Sequence, residues 1–207
     1  MIIAIDGPAA AGKGTIAVKL AQHYGLNHLD TGLLYRAIGR LMTEQGLDLD
    51  DPEAAGAVAR QLRPKDLAHA DLRGREAGEL ASRVAVHPEV RAALVDFQRD
   101  FARTPPGAVL DGRDIGTAIC PNADVKIFVT ASPEVRARRR TDELNAKGRD
   151  VPYERILAEI LERDERDSHR SAAPLRQADD AIRLDTTALD ADAAFQAAVA
   201  IVEAGHE

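Results

Sequence analysis

At 207 residues the chain is long enough to bury a sizeable core in one domain and still carry an insert. A formal net charge of −7 argues against nucleic acid or an anionic membrane as partner, so an anionic small molecule would have to be held by locally clustered cations. Aromatics at 3%, with no Trp, supply no stacking platform for single-stranded nucleic acid, and the one cysteine, Cys120, excludes a disulfide framework or a multi-thiolate metal site.

The opening MIIAIDGP carries no basic segment, long apolar stretch or cleavage site, and no apolar run approaches the roughly 20 residues a bilayer span needs; a cytoplasmic protein is expected. An apolar strand at Ile2–Asp6 runs into a glycine-rich turn and a helix from near Gly12. A short strand about His28–Asp30 precedes a helix from near Thr31. The stretch from about Leu47 to Arg73 is polar, Ala-rich and strand-poor, with a helix from near Glu53, where Asp51-Pro52 puts proline at the first helical position. Helices follow from near Arg75 and Pro88, then strands at Ala108–Asp111 and Val125–Thr130. Ser132-Pro133-Glu134 starts another helix, densely basic from Arg136 to Arg149 and expected to end in a mobile Lys147-Gly148-Arg149 loop. A helix from near Pro152, a strand at Ile182–Asp185 and a helix from near Leu189 complete the chain. Strands alternating with helices in this way predict a parallel sheet covered by helices.

The turn after the first strand reads GPAAAGKGT: Gly7, Pro8, Ala9, Ala10, Ala11, Gly12, Lys13, Gly14 and Thr15. It fits the phosphate-cradle pattern G-x-x-x-x-G-K, here with Gly before the hydroxyl residue. Gly7 and Gly12 allow close backbone approach, so consecutive N–H groups can point at an anion in front of the following helix's positive end. Lys13 adds a full charge at the β/γ-phosphates of a nucleotide, and Thr15 is the expected hydroxyl near Mg²⁺. Asp111, at the end of the strand AVLD, is the expected acidic group facing that metal through water.

Three further segments mix cations with carboxylates: LDTGLLYR (Asp30, Thr31, Arg36), DGRDIGT (Asp111, Arg113, Asp114) and ERDERDSHRSAAPL. In the last, Arg163, Asp167 and Arg170 fall at i, i+4 and i+7 on one helical face. Together with ASRVA, HPEVRAAL, QRDFA, PPGAVLDGRDIGT and DVKIFVTAS, these segments resemble bacterial cytidylate kinase over nearly the whole chain. Adenylate kinases and eukaryotic-type UMP/CMP kinases usually carry a DGFPR-like segment where this chain has DGRDIGT.

The resemblance implies an α/β P-loop NTPase three-layer fold, a five-stranded parallel sheet with helices on both faces. It implies one kinase domain over 1–207, with a core of 1–46, 88–135 and 171–207, a monophosphate-binding insert at about 47–87 and a lid at about 136–170. It implies ATP as donor, CMP or dCMP as acceptor, Mg²⁺ as cofactor, no nucleic-acid or membrane partner, and a monomer. Thr31 and Arg36 stand at family positions near the monophosphate. Ser82, Arg91 and Asp114 match positions that recognise cytosine. Arg113 and Arg170 resemble phosphate-binding arginines, and Arg163 and Asp167 resemble sugar and phosphate contacts. Lys13, Arg113, Arg163 and Arg170 are thus the expected catalytic cations, with Arg136 and Arg139 expected over ATP in the lid, beside Arg140. Base chemistry agrees: cytosine offers an N4 donor that suits the Asp114 carboxylate, and N3 and O2 acceptors that Arg91 and Ser82 can satisfy, whereas uracil inverts positions 3 and 4. Most bacterial relatives have a longer insert with a small antiparallel sheet; here Arg63 to Gly78 is short and strand-poor. Kinases of UMP, AMP or dTMP, and a nucleotide-gated ATPase switch, stay open as alternatives.

Overall fold

The computed structural model describes residues 1–205, except for the side chains of Ala70 and Arg73; residues 206 and 207 of the expected core lie outside the described residues. Five strands, β1 (Ile2–Asp6), β2 (Asn27–Asp30), β3 (Ala108–Gly112), β4 (Val125–Thr130) and β5 (Ile182–Asp185), form one sheet in the order β2-β3-β1-β4-β5. Every pairing is parallel. β1 is central because it is apolar on both faces: Ile3 and Ile5 point one way, Ala4 the other, and all three are buried.

On one face Ile3, Ile5, Ile127 and Val129 pack against α1 (Lys13–Tyr24) and α8 (Ala191–Ala204) through Ile16, Leu20, Ala198 and Val202. On the other, Ala4, Leu29 and Leu110 meet Ala102 of α5 (Pro88–Arg103) and a single π-helical turn, Ile115–Ile119. The result is the expected three-layer arrangement. A third cluster joins α2 (Gly32–Glu44), α3 (Pro52–Arg60), α4 (Arg75–Val84) and α5 around Ile38, Met42, Val58, Val84 and Leu94. Between α3 and α4 run two 3-10 turns, Pro64–Leu67 and Ala70–Arg73. The segment 47–87 contains no strand among the described residues. α6 (Pro133–Ala146) and α7 (Tyr153–His169) form a hairpin around Ala137, Leu144, Ile156 and Ile160.

Helix starts follow local chemistry. Asp51 accepts the N–H groups of Glu53 and Ala54 with Pro52 at the first position of α3; Ser132 accepts the N–H of Val135 with Pro133 at the first position of α6, and Asp190 caps α8. No helix among the described residues is long and apolar enough to cross a membrane. The chain leaves β1 toward β2 and β3, then crosses to β4 and β5. The turn after β1 therefore lies at the carboxyl edge where the winding reverses, the place where open α/β sheets bind ligands.

Candidate active site

The cradle is shaped by its carbonyls. Pro8 O accepts Lys13 Nζ at 2.8 Å, Ala9 O accepts Arg136 Nη1 at 3.1 Å, and Ala11 O accepts the Thr186 hydroxyl at 3.1 Å. With these carbonyls engaged by neighbouring side chains, the loop's N–H groups are left for an anion. The first intrahelical bond of α1 runs from Ile16 N–H to Gly12 O, so the amides of Lys13, Gly14 and Thr15 have no intrahelical acceptor. Gly7 has φ 149° and runs so close to β4 that a Cβ there would sit 1.9 Å from Val129 O; Gly12 has φ 91°. A side chain at Gly7 would clash with β4, and one at Gly12 would have room but a strained backbone.

Lys13 is 6% exposed. Burial pushes its ammonium down to about 7, and the Arg113 and Arg163 guanidiniums add to the shift against the opposing pull of Asp111 and Asp30. Arg163 is lowered to about 10, by burial first and then by Arg113. Burial, with Arg113 and Arg140, likewise lowers Arg36, which donates to Leu72 O at 3.2 Å. Lys13 of the cradle, Arg36 of α2 and Arg163 of α7 thus share one electrostatic neighbourhood with Arg113 of the loop after β3, which disfavours the charge of all three. Asp30, Asp111 and Asp167 offset part of that repulsion, and a bound anion would offset more. The Nε atoms of Arg36 and Arg163 are buried without a hydrogen-bond partner.

Carboxylates hold the cations in place. Asp167 accepts Arg113 Nε at 2.9 Å and lies 3.7 Å from Arg163 Nε; burial alone would raise it, but Arg113 and Arg163 outweigh that and keep it below the usual range. Thr31 donates its hydroxyl to Asp111 O at 2.8 Å, fixing the start of α2 to the end of β3.

A second cluster of buried polar side chains adjoins the first. Asp114 is 5% exposed, bonded to Arg91 and 3.6 Å from Arg170 Nη2. Arg170 is held in turn by Ala173 O at 2.7 Å. Ser82 Oγ, 3% exposed, has no partner, and the Tyr35 ring lies beneath the Arg91 guanidinium at 5.7 Å. The paired carboxylate and guanidinium, both buried, offer an acceptor and donors to a flat polar group.

Hard oxygen donors for a divalent cation stand beside the cradle. Asp111 Oδ1 is bonded to His28 Nε2 at 2.9 Å, while Oδ2 faces the start of α1, 3.9 Å from where a Cβ on Gly14 would lie. The exposed Thr15 follows Gly14 on the same turn. Two oxygen donors suit a cation that keeps several waters and arrives with phosphate.

Arg136 and Arg139 stand differently from cations free to swing over a nucleotide. Arg136 is 3% exposed, paired through both nitrogens with Asp164 at 3.0 and 2.5 Å, and bonded to Ala9 O and Ala131 O. Arg139 is bonded to the Thr186 hydroxyl, Thr186 O and Leu189 O. Both brace the cradle, Arg139 by way of Thr186. Arg136→Ala is therefore expected to cost about 3 kcal/mol of stability by urea denaturation, the low end for breaking a buried pair because Asp164 stays 25% exposed.

Of the residues expected in the site, Lys13, Arg36, Arg113, Arg163 and Asp167 form one linked group and Arg91, Asp114 and Arg170 another, while Ser82 is buried with its hydroxyl unpaired. Sequence reasoning passed over Asp6, Tyr35, His28 and Asp164. A signal existed for Asp6: a carboxylate closing the apolar run IIAID is out of character for a buried parallel strand. The contacts of the other three depend on tertiary packing.

Comparison with known proteins accords with this geometry. A family model described as cytidylate kinase matches residues 3–204. The chain is 62% identical over 207 residues to a cytidylate kinase of Methylocella silvestris, covering 100% of this chain and 96% of that one. It is 62% identical over 204 residues to one of Xanthobacter autotrophicus, covering 99% and 98%. Among solved structures, an uncharacterized protein from Eubacterium ventriosum matches at TM-score 0.56 and 15% identity over 98% of each chain, a likeness of fold alone.

Proposed function

The chain belongs to the cytidylate kinase family and is an enzyme, and we propose that it transfers the γ-phosphoryl group of ATP to CMP or dCMP, giving ADP and CDP or dCDP. The observation that carries this reading is the gathering of Lys13, Arg36 and Arg163, each with its charged form disfavoured by burial and by the neighbouring Arg113 guanidinium, around the cradle mouth. A single bound phosphate would not need so many cations; a donor and an acceptor phosphate meeting there would.

The acceptor is a phosphate oxygen, largely ionised at neutral pH because its second pKa is about 6, so no general base is required. Catalysis then consists of in-line positioning and neutralisation of charge by Lys13, Arg113, Arg163 and Arg170. The cradle from Gly7 to Thr15 takes the ATP phosphates, with Arg136 and Arg139 serving ATP through the backbone they brace. Thr31 and Arg36 take the monophosphate, Asp167 the sugar side, and Ser82, Arg91 and Asp114 the base. Mg²⁺, held by Thr15 and by Asp111 through water, would neutralise charge on the donor phosphates. Segments 47–87 and 136–170 are proposed to close as insert and lid, excluding water from ATP. A monomer suffices, since both clusters are built from one chain.

An ADP-release assay across CMP, dCMP, UMP, AMP, GMP and dTMP tests the proposal. Release is expected with CMP or dCMP and to be weak with the others. Preference for another monophosphate would redirect the specificity, and equal release with none added would point to an ATPase switch.

A further inference from the structure

Asp6 ends β1 and is 5% exposed, the one carboxylate on a strand whose other residues are apolar. Its Oδ1 accepts the N–H of Ile115 at 2.8 Å and its Oδ2 that of Gly116 at 2.7 Å. These amides open the π-helical turn that follows Arg113 and Asp114. The ladder between β1 and β3 stops at Asp6 opposite Gly112, one residue before Arg113. Beyond that point strand pairing no longer fixes the chain, and the carboxylate carries the tie onward to residues 115 and 116. On its other side Asp6 is bonded covalently to Gly7, where the cradle begins. One side chain thus joins the donor-phosphate loop to the loop that carries Arg113 and Asp114.

The arrangement is costly. Burial raises Asp6 to about 6, even though both backbone N–H groups and Lys13 favour the charge. An apolar residue there would leave two amides of a buried turn without this acceptor, so the carboxylate is retained for the tie it makes. The turn is also hemmed in from the far side: a Cβ on Gly116 would lie 3.1 Å from Lys126 Cδ and 3.4 Å from Asp6 Oδ2.

We infer that Asp6 is a positioning residue that holds the Arg113–Asp114 loop in register with the phosphate cradle and so sets how well the enzyme tells CMP from UMP. The inference rests on the reading of Asp114 as the residue that recognises the base. Asp6→Asn is nearly isosteric, but its amide can accept only one of the two N–H groups and presents its own donors to the other. The turn should shift by a fraction of an ångström, and misplacement on that scale costs about tenfold to 10²-fold in a positioned reaction.

The test is steady-state kinetics of Asp6→Asn and Gly116→Ala with CMP and UMP, alongside Asp114→Ala as control and a thermal melt of each. The expected result is a CMP KM raised about tenfold or more and a CMP-to-UMP preference reduced by a similar factor, with the KM for ATP within about twofold of the parent. Gly116→Ala crowds the same turn against Lys126 without altering the Asp6 carboxylate, so it reads the clamp even if Asp6→Asn does not fold. An unchanged preference in the folded variants, where Asp114→Ala does erode it, overturns the role of Asp6 alone. ATP and CMP KM rising together with a lowered melting temperature also overturns it, in favour of a merely structural bond. If Asp114→Ala leaves the preference intact, the base reading has failed and takes this inference with it.

Discussion

Lys13→Met is expected to slow phosphoryl transfer by about 10²–10³-fold or more while leaving the protein at least as stable as its parent. The two effects have one cause. Lys13 is buried, and Arg113 and Arg163 stand close enough to push its ammonium further down, to about 7. Catalysis requires that charge at the phosphates; folding is penalised by it. The ordinary value in an unfolded chain is 10.5, so between 7 and 10.5 the folded state binds fewer protons than the unfolded one. The penalty is fully present below about 7 and fades as pH rises toward 10.5. The gain in melting temperature from Lys13→Met should therefore be larger at pH 6.5 than at pH 9.5.

Anion binding reverses the balance. At pH 8 Lys13 is mostly neutral, and phosphate oxygens placed beside it restore the proton. Calorimetry of ATP binding in buffers of different ionisation enthalpy should show proton uptake at pH 8 that Lys13→Met abolishes. Equal uptake in parent and variant, or near-full turnover by the variant, would remove Lys13 from the role assigned to it.

The sheet was legible in the sequence because parallel strands buried on both faces read as short apolar runs between helix signals. Ile2–Asp6, Val125–Thr130 and Ile182–Asp185 were expected at the bounds they occupy, and the other two strands differ by one residue. The α3 and α6 starts were legible because Asp51-Pro52 and Ser132-Pro133 satisfy orphan amides locally. The π-helical turn at Ile115–Ile119 was not, since no local pattern demands it; it forms where Asp6, distant in sequence, supplies two acceptors. The arginines of the site were found as types at spacings, but their division of labour was not. Arg136 and Arg113 look alike in a string of residues. The difference is that Arg136 is tied to Ala9 O and Asp164, whereas Arg113 is tied to Asp167 and acts on the charge of Lys13. Which way a guanidinium points depends on where α7 brings Asp164 and Asp167, and that is a property of the assembled hairpin.

Asp114→Asn carries the other large expected effect, a reduction of the CMP-to-UMP preference in kcat/KM by about 5- to 150-fold, the range of about 1–3 kcal/mol for one well-placed polar pair. The carboxylate can only accept, which matches an exocyclic amine and opposes a carbonyl at the same place; the amide of Asn can turn to serve either. Arg91 and Arg170 meanwhile lose the charge that fixes them, with Asp167 the remaining carboxylate acting on both. A stability loss of about 3–5 kcal/mol should accompany the change, as for removal of one partner from a buried pair. Kinetics below the variant's unfolding temperature separate the two consequences. Lost discrimination shows as a fall in kcat/KM for CMP with little change, or a rise, for UMP; mere destabilisation lowers both alike. A preference that survives Asp114→Asn in folded protein would place base recognition on Arg91 and Ser82 without the carboxylate.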